Sequence, residues 1–309
     1  MRGAAARRVG LVWLALALAC AGDGGGAPPG TKRASGAGKA ARSANDARVL
    51  AIGDALVAEA FDESPRMVAL LRPPGARYDT LPDASLAGVA ARAARRARWQ
   101  GELEGIPRGS LSGADARLAY DLARERLQRL DALRVCKLER WAVSQMSGWH
   151  VELADTALAQ PVETAEQRAQ ALARYAALPR YADQDIEALR AGLSEGRTAP
   201  RLVVDLVIAQ LDALLAAPPE ASPFASPALR ADDPAFRTAF LALVQSAVRP
   251  ALQRTRDFLA NELAPRARRE VGLAALPDGG ACYAAMLGFS TTLDLSPQEV
   301  HARGETALA

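Results

Sequence analysis

The side chains able to hold a metal or attack a carbonyl are few and scattered. The chain has two histidines, His150 and His301, and three cysteines, Cys20, Cys136 and Cys282. A catalytic zinc needs three protein ligands and an open position for water. Neither histidine is directly followed by glutamate. His301, with Glu299 and Glu305 close in sequence, matches no zinc-helix spacing and reads as a surface or cleft-facing side chain. His150, beside Trp149, falls at an irregular junction and reads as hydrogen-bonded packing. The cysteines show no metal-binding spacing. Ser-x-x-Lys, Gly-x-Ser-x-Gly, a phosphate-binding glycine loop and a Cys–His dyad are all missing from the sequence. No catalytic residue and no metal ligand is therefore expected from this chain alone.

Acids and hydroxyls leave weaker candidates. Asp183, Asp185 and Glu187 read as first-turn acids complementing a helix dipole. Asp205 and Asp212 share a helix face and are expected to anchor arginines within a bundle. Tyr283, Thr291 and Thr292 are the most suggestive polar group. An extended segment carrying them beside a cleft could bond a peptide backbone by strand addition, while turn and capping chemistry explains the threonines equally well. Tyr283, Thr291, Thr292, Trp149 and His301 are the candidate substrate-cleft contacts.

The elements that must position these residues are almost all helical. Leu50, Ile52, Leu56, Val57 and Phe61 fit one amphipathic helix ending before Pro65. A proline- and glycine-rich connection follows from Arg72 to Asp83, and a helix is expected over 86–103. Ser112 to Asp115 reads as a capping box opening a helix that carries Leu118, Leu122, Leu127, Leu130 and Leu133. Thr164 to Gln167 opens another, closed by Leu178-Pro179, with a further helix over 183–196. Pro200 starts a helix apolar nearly all round, which belongs inside a larger bundle. Asp232-Asp233-Pro234 begins one that should kink at Pro250 and stop before Pro265. The only strand-like piece lies near 289–295. The expected fold is mainly α, a multi-helix bundle with at most that short extended segment.

The N-terminus reads as an export signal. Arg2, Arg7 and Arg8 precede an apolar run over 9–19, about half the length needed to span a bilayer. The run ends in Ala17-Leu18-Ala19-Cys20, which looks like a lipobox with Cys20 as the lipid-bearing first residue of the mature protein. Ala-Leu-Ala also suits a general signal peptidase, and either reading places the protein outside the cytoplasm. Residues 20–45 are poor in large apolar side chains and read as a flexible tether, with a helical domain over 46–309.

The formal charge of +3 comes from that leader. Residues 1–19 carry three arginines and no acid, which leaves 35 basic against 35 acidic residues. A neutral mature chain removes the electrostatic argument for nucleic acid. The basic runs at 92–98 and 266–269 read as solvated helix faces. Cys136 and Cys282 read as buried thiols, although an oxidising compartment permits a bridge.

The last helix has a marked beginning and no marked end. Ser296-Pro297-Gln298-Glu299 forms a strong start, with a hydroxyl cap, a proline in the first turn and a glutamate closing the box. Val300 to Ala309 carries no stop, and so short a helix needs a packing partner. The chain therefore reads as the front part of a larger protein, truncated at its C-terminus.

Several segments together resemble the bacterial family catalogued as domain of unknown function 885. They are Val271-Gly272-Leu273, Leu276 to Gly280, Tyr283, Ser290 to His301 and Gly304. A second group is Tyr175 to Pro179, Leu189 to Leu193, Gly196, Pro200 to Val204 and Gln210-Leu211-Asp212. A third is Trp141 to Trp149, ahead of Pro161. The resemblance implies an exported, often lipid-anchored, helical protein related to zinc metallopeptidases of the gluzincin type. It covers the N-terminal half only. The zinc signature of such a family, His-Glu-x-x-Pro-Gly-His, is missing from this sequence. The implied role is one wall of a substrate cleft, tethered to a membrane through Cys20. The zinc and any peptide hydrolysis would then belong to a complete member. A non-catalytic helical envelope lipoprotein that binds a peptide or protein partner is the other reading.

Overall fold

A computed structural model describes residues 43–308. The leader, Cys20 and nearly all of the tether lie outside the described residues. Among the described residues thirteen α-helices follow one another: α1 Ala44–Asp62, α2 Pro65–Leu71, α3 Leu86–Glu104, α4 Ala114–Ala132, α5 Trp149–Ala159, α6 Ala165–Ala176, α7 Leu178–Ser194, α8 Arg201–Ala216, α9 Ser226–Arg230, α10 Pro234–Leu243, α11 Arg249–Phe258, α12 Gly279–Thr291 and α13 Pro297–Leu308. Among the described residues there is no sheet, and an isolated bridge joins Pro200 to Arg268. The fold is a multi-helix bundle, mainly α, divided into two compact units.

The smaller unit holds residues 43–60 and 99–125. Asp46 organises it. Its carboxylate accepts from the Ser112 hydroxyl at 2.5 Å and from the Ser112 and Gly113 amides at 3.0 and 3.2 Å. These bonds, the Ser112 hydroxyl foremost, hold its pKa down at about 2. Ser112 therefore does not close the expected box with Asp115, because a buried carboxylate on another helix takes its hydroxyl.

The larger unit, 61–98 with 126–308, is built around Tyr175. Tyr175 is fully buried, donates to the Leu153 carbonyl at 3.0 Å and meets Phe240 and Phe224 edge-on at 5.3 and 6.3 Å. Val204, Val207 and Leu211 of α8 and Val244 and Val248 complete the same cluster. Beside it the buried Arg174 donates to the carbonyls of Thr80 and Arg77 and to the Gln160 side chain. Those bonds fasten the proline-rich connection to the core, and burial lowers the guanidinium pKa to about 10.

Local chemistry sets the boundaries. The Thr164–Gln167 capping box opens α6, and Ser296 and Glu299 close the expected box at the start of α13. Pro179 sits in the first turn of α7 and starts that helix rather than stopping the previous one. Asp183, Asp185 and Glu187 consequently lie in mid-helix, not in a first turn. Pro250 is accommodated by a π-turn over Val244–Val248, which absorbs the hydrogen bond proline cannot donate.

The segment near 289–295 forms no strand. Helix α12 runs through Thr291, whose hydroxyl donates back to the Leu287 carbonyl at 2.8 Å. Thr292 ends the helix in the left-handed region at φ 59°. Helix α8 departs from expectation in the opposite sense. Leu202, Leu206, Ala209 and Ala213, at i, i+4, i+7 and i+11, form an exposed apolar stripe.

Candidate functional site

A cleft of about 280 Å³ in the larger unit gathers Glu63, Arg92, Glu139, Tyr181 and Asp185. Its size lies at the lower end of small-molecule pockets. Tyr181, Asp185 and Ala188 share one face of α7 at i, i+4 and i+7. Arg92 comes from α3, Glu63 from the turn between α1 and α2, and Glu139 from the 3-10 turn Leu138–Arg140. A glycine fixes that last element. A Cβ on Gly192 would lie 1.7 Å from the Arg140 carbonyl oxygen, so only glycine lets α7 and the Glu139 turn approach this closely.

The charges on the α3 side are satisfied. Glu63 accepts from Arg92 Nε at 2.8 Å and from Arg96 at 2.8 Å. Arg92 also donates to the Asp83 carbonyl at 2.7 Å. The neighbouring loop is tied to α7, since the Ala84 amide donates to the Gln184 side chain at 3.2 Å.

Asp185 is different. It has neither a hydrogen bond nor an ion pair, and burial alone pushes its pKa up to about 7. Its side chain is half-buried and still reaches the cleft. Burial also raises Tyr181 to about 12, with the Asp185 charge adding to the effect. Glu152 of α5, half-buried and acting on the same tyrosine, is pushed up by burial as well. A carboxyl that changes charge near neutral pH within a pocket is the usual mark of a functional group. The sequence signal for it was present but faint: a tyrosine, an aspartate and an alanine on one stripe of a helix also carrying exposed acids.

The residues singled out from the sequence do not gather here. Trp149 is buried in the main core at the start of α5, and its indole N–H has no partner. Tyr283, Thr291 and Thr292 lie on or just after α12, where Tyr283 is exposed and Thr291 and Thr292 bond to their own helix end. His301 is exposed on α13 with its Nε2 3.3 Å from Glu305. His150 is buried, and its Nε2–H donates to Gln210 Oε1 at 2.9 Å while the Gln210 amide donates to the Gln145 carbonyl. Burial lowers its pKa and so disfavours the charged ring. Asp205 and Asp212 do bind arginines, Arg201 and Arg256, but at the surface.

Cys136 and Cys282 form a disulfide across 146 residues, which corrects the reading of two buried thiols. Each cysteine sits in an apolar pattern, and the sequence holds no signal of their proximity. Around the bridge, Trp141 Nε1 donates to the Cys136 carbonyl at 2.8 Å. Arg197 donates to the Pro277 carbonyl and the Asp278 carboxylate at 2.8 and 2.6 Å. Glu195 receives Lys137 and Arg140.

Among the described residues, no three His, Cys, Asp or Glu side chains assemble to hold a metal ion. With one histidine locked to Gln210 and the other exposed on the last helix, the residues present do not fit a zinc site.

Residues 70–309 match the family described as bacterial protein of unknown function (DUF885), and the chain belongs to that family. Among solved structures it is similar to "the putative lipoprotein from Colwellia psychrerythraea", with a TM-score of 0.68 at 17% identity. The match covers 85% of this chain and 48% of that one, so the chain spans about half of that protein's length. At that identity the likeness is one of fold. Comparison with curated proteins gives no match.

Proposed function

We propose that this chain is the N-terminal, cleft-forming part of an exported, metallopeptidase-like lipoprotein, tethered to a membrane through Cys20. One observation carries the reading: among the described residues, apolar side chains on α8 and α13 are left uncovered. No residue of α13 is buried, and the α8 stripe of Leu202 and Leu206 faces outward. A short helix without packing is marginal in water, so these faces suit a further folded half. The 48% coverage of the similar structure is in keeping with that arrangement.

Export is supported by the Cys136–Cys282 bridge, since disulfides persist in oxidising compartments. Among the described residues no helix is long and apolar enough to cross a membrane. A lipid on Cys20 would then supply the attachment.

Peptide hydrolysis by zinc would belong to the complete protein, with metal ligands and general base outside this chain. The test is a peptidase assay on the purified 20–309 product with and without a chelator. No hydrolysis is expected, and a measurable, chelator-sensitive rate would overturn the proposal. The self-contained Tyr175 core favours a second reading, a non-catalytic envelope lipoprotein that binds a peptide or protein partner. A 46–309 fragment that is monomeric and protease-resistant would support that one.

A further inference from the structure

We propose that the cleft over Asp185 is a receptor for a protonated alkylammonium or guanidinium head group. The inference does not rest on the half-protein reading, because every group it uses lies within the larger unit.

The argument is one of unmatched polarity. Of the cationic groups nearby, Arg92 is bound to Glu63 and the Asp83 carbonyl, and Arg96 is bound to Glu63. Arg66 pairs with Asp155 at 3.4 Å. Arg92, the one cation lining the cleft, is therefore already paired. The cleft's remaining carboxylates are Asp185, which has no partner, and Glu139, which lies 3.6 Å from Arg140 Nε. Glu152 adds negative potential from α5. Two acceptors in a half-buried cleft select a ligand that brings both a positive charge and several N–H donors.

The remaining walls define the rest of the ligand. Pro82, Ala84, Val89 and Ala188 line the same volume with carbon. An alkyl stem can lie along such a surface while its charged head reaches a carboxylate, as lysine and arginine side chains do on proteins. A bare metal ion is poorly suited, since it demands more oxygen ligands than Asp185 and Glu139 supply.

The charge of the site is conditional. Asp185 is half-protonated near pH 7, so an ammonium head must draw the proton off to bind, and binding in turn lowers the carboxyl pKa. Affinity should fall about tenfold for each pH unit below 7 and level off above it.

The experiment follows the carboxyl resonance of Asp185 in the complete chain while n-butylammonium chloride is added, with n-butanol as the uncharged control. Asp185 is expected to titrate near pH 7 alone and well below it with n-butylammonium, and n-butanol should leave it unmoved. Asp185→Asn should weaken n-butylammonium binding at least tenfold at pH 8, and Glu139→Gln several-fold. A lysine-containing pentapeptide amide that binds more tightly than the free amine would assign the head group to a peptide side chain; equal affinity would assign it to a small amine. Titration of Asp185 in the ordinary carboxylate range would overturn the proposal. So would n-butylammonium binding that Asp185→Asn leaves unchanged, or none at pH 8.

Discussion

The Tyr175 core and the C-terminal end of the larger unit are stabilised in different ways. The core is closed by apolar side chains from seven consecutive helices, α5 to α11, and two π-turns, with Tyr175, Phe224, Phe240 and Leu211 all fully buried. The end of the chain has a small cluster of Cys136, Trp141, Leu276 and Cys282. It is fastened by a disulfide, by Arg197 on Asp278, by Arg129 on Asp294 at 2.7 Å, and by Arg126 stacked over Phe289. Beyond it no residue of α13 is fully buried. Burial of many apolar groups stabilises a region through its own packing, whereas a helix without such burial depends on cross-links or on a partner. The difference teaches that the C-terminal end is the face on which further contacts are expected.

Four changes would break or sharpen that contrast. Phe240→Ala should have the largest effect, a loss of about 4 kcal/mol in urea unfolding, because it opens a cavity beside Tyr175. A loss under 1 kcal/mol would mean the core is not closed as described. Replacing Cys136 and Cys282 together by alanine should cost about 3 kcal/mol. Hydrogen exchange should then show opening concentrated at 276–291 with the core still protected; uniform opening would erase the distinction between the regions. Gly192→Ala should cost about 2 kcal/mol by driving α7 off the Arg140 carbonyl, and thermal unfolding reads it directly. Unchanged stability would contradict that close approach.

The smallest change should run the other way. Asp185 has a folded pKa above its unfolded value, so the charged form is disfavoured by folding. Its neutral form is tolerated at low pH, and stability is lost as pH rises from about 4 towards 7. Asp185→Asn should therefore stabilise the protein by about 1 kcal/mol at pH 8, a figure discounted for solvent access, and hardly at all at pH 4. Equal effects at both pH values would mean that the carboxyl is not desolvated.

How much of this was legible beforehand follows from what the sequence encodes locally. Helix starts at Thr164 and Ser296 were readable because a cap is a short-range device, fixed by residues three apart. The helix boundary at Pro179 was misplaced because proline serves a first turn as readily as it ends one. The fate of Thr291 and Thr292 depended on back-bonding to Leu287 and on a left-handed cap, which β-propensity does not foresee. Proximity was not legible at all. The partner of Cys136 lies 146 residues away, and the partner of Ser112 is Asp46. The cleft is illegible for the same reason, since Glu63, Arg92, Glu139 and Asp185 come from four separate segments.

The proposal that this chain is the front part of a metallopeptidase-like protein is tested most directly in its gene. Sequencing the coding DNA through and past codon 309 in all three frames should reveal a downstream His-Glu-x-x-Pro-Gly-His. Its presence is the result the account predicts. An extended downstream sequence without that motif in any frame would contradict it, and the α8 and α13 faces would then have to meet a separate partner.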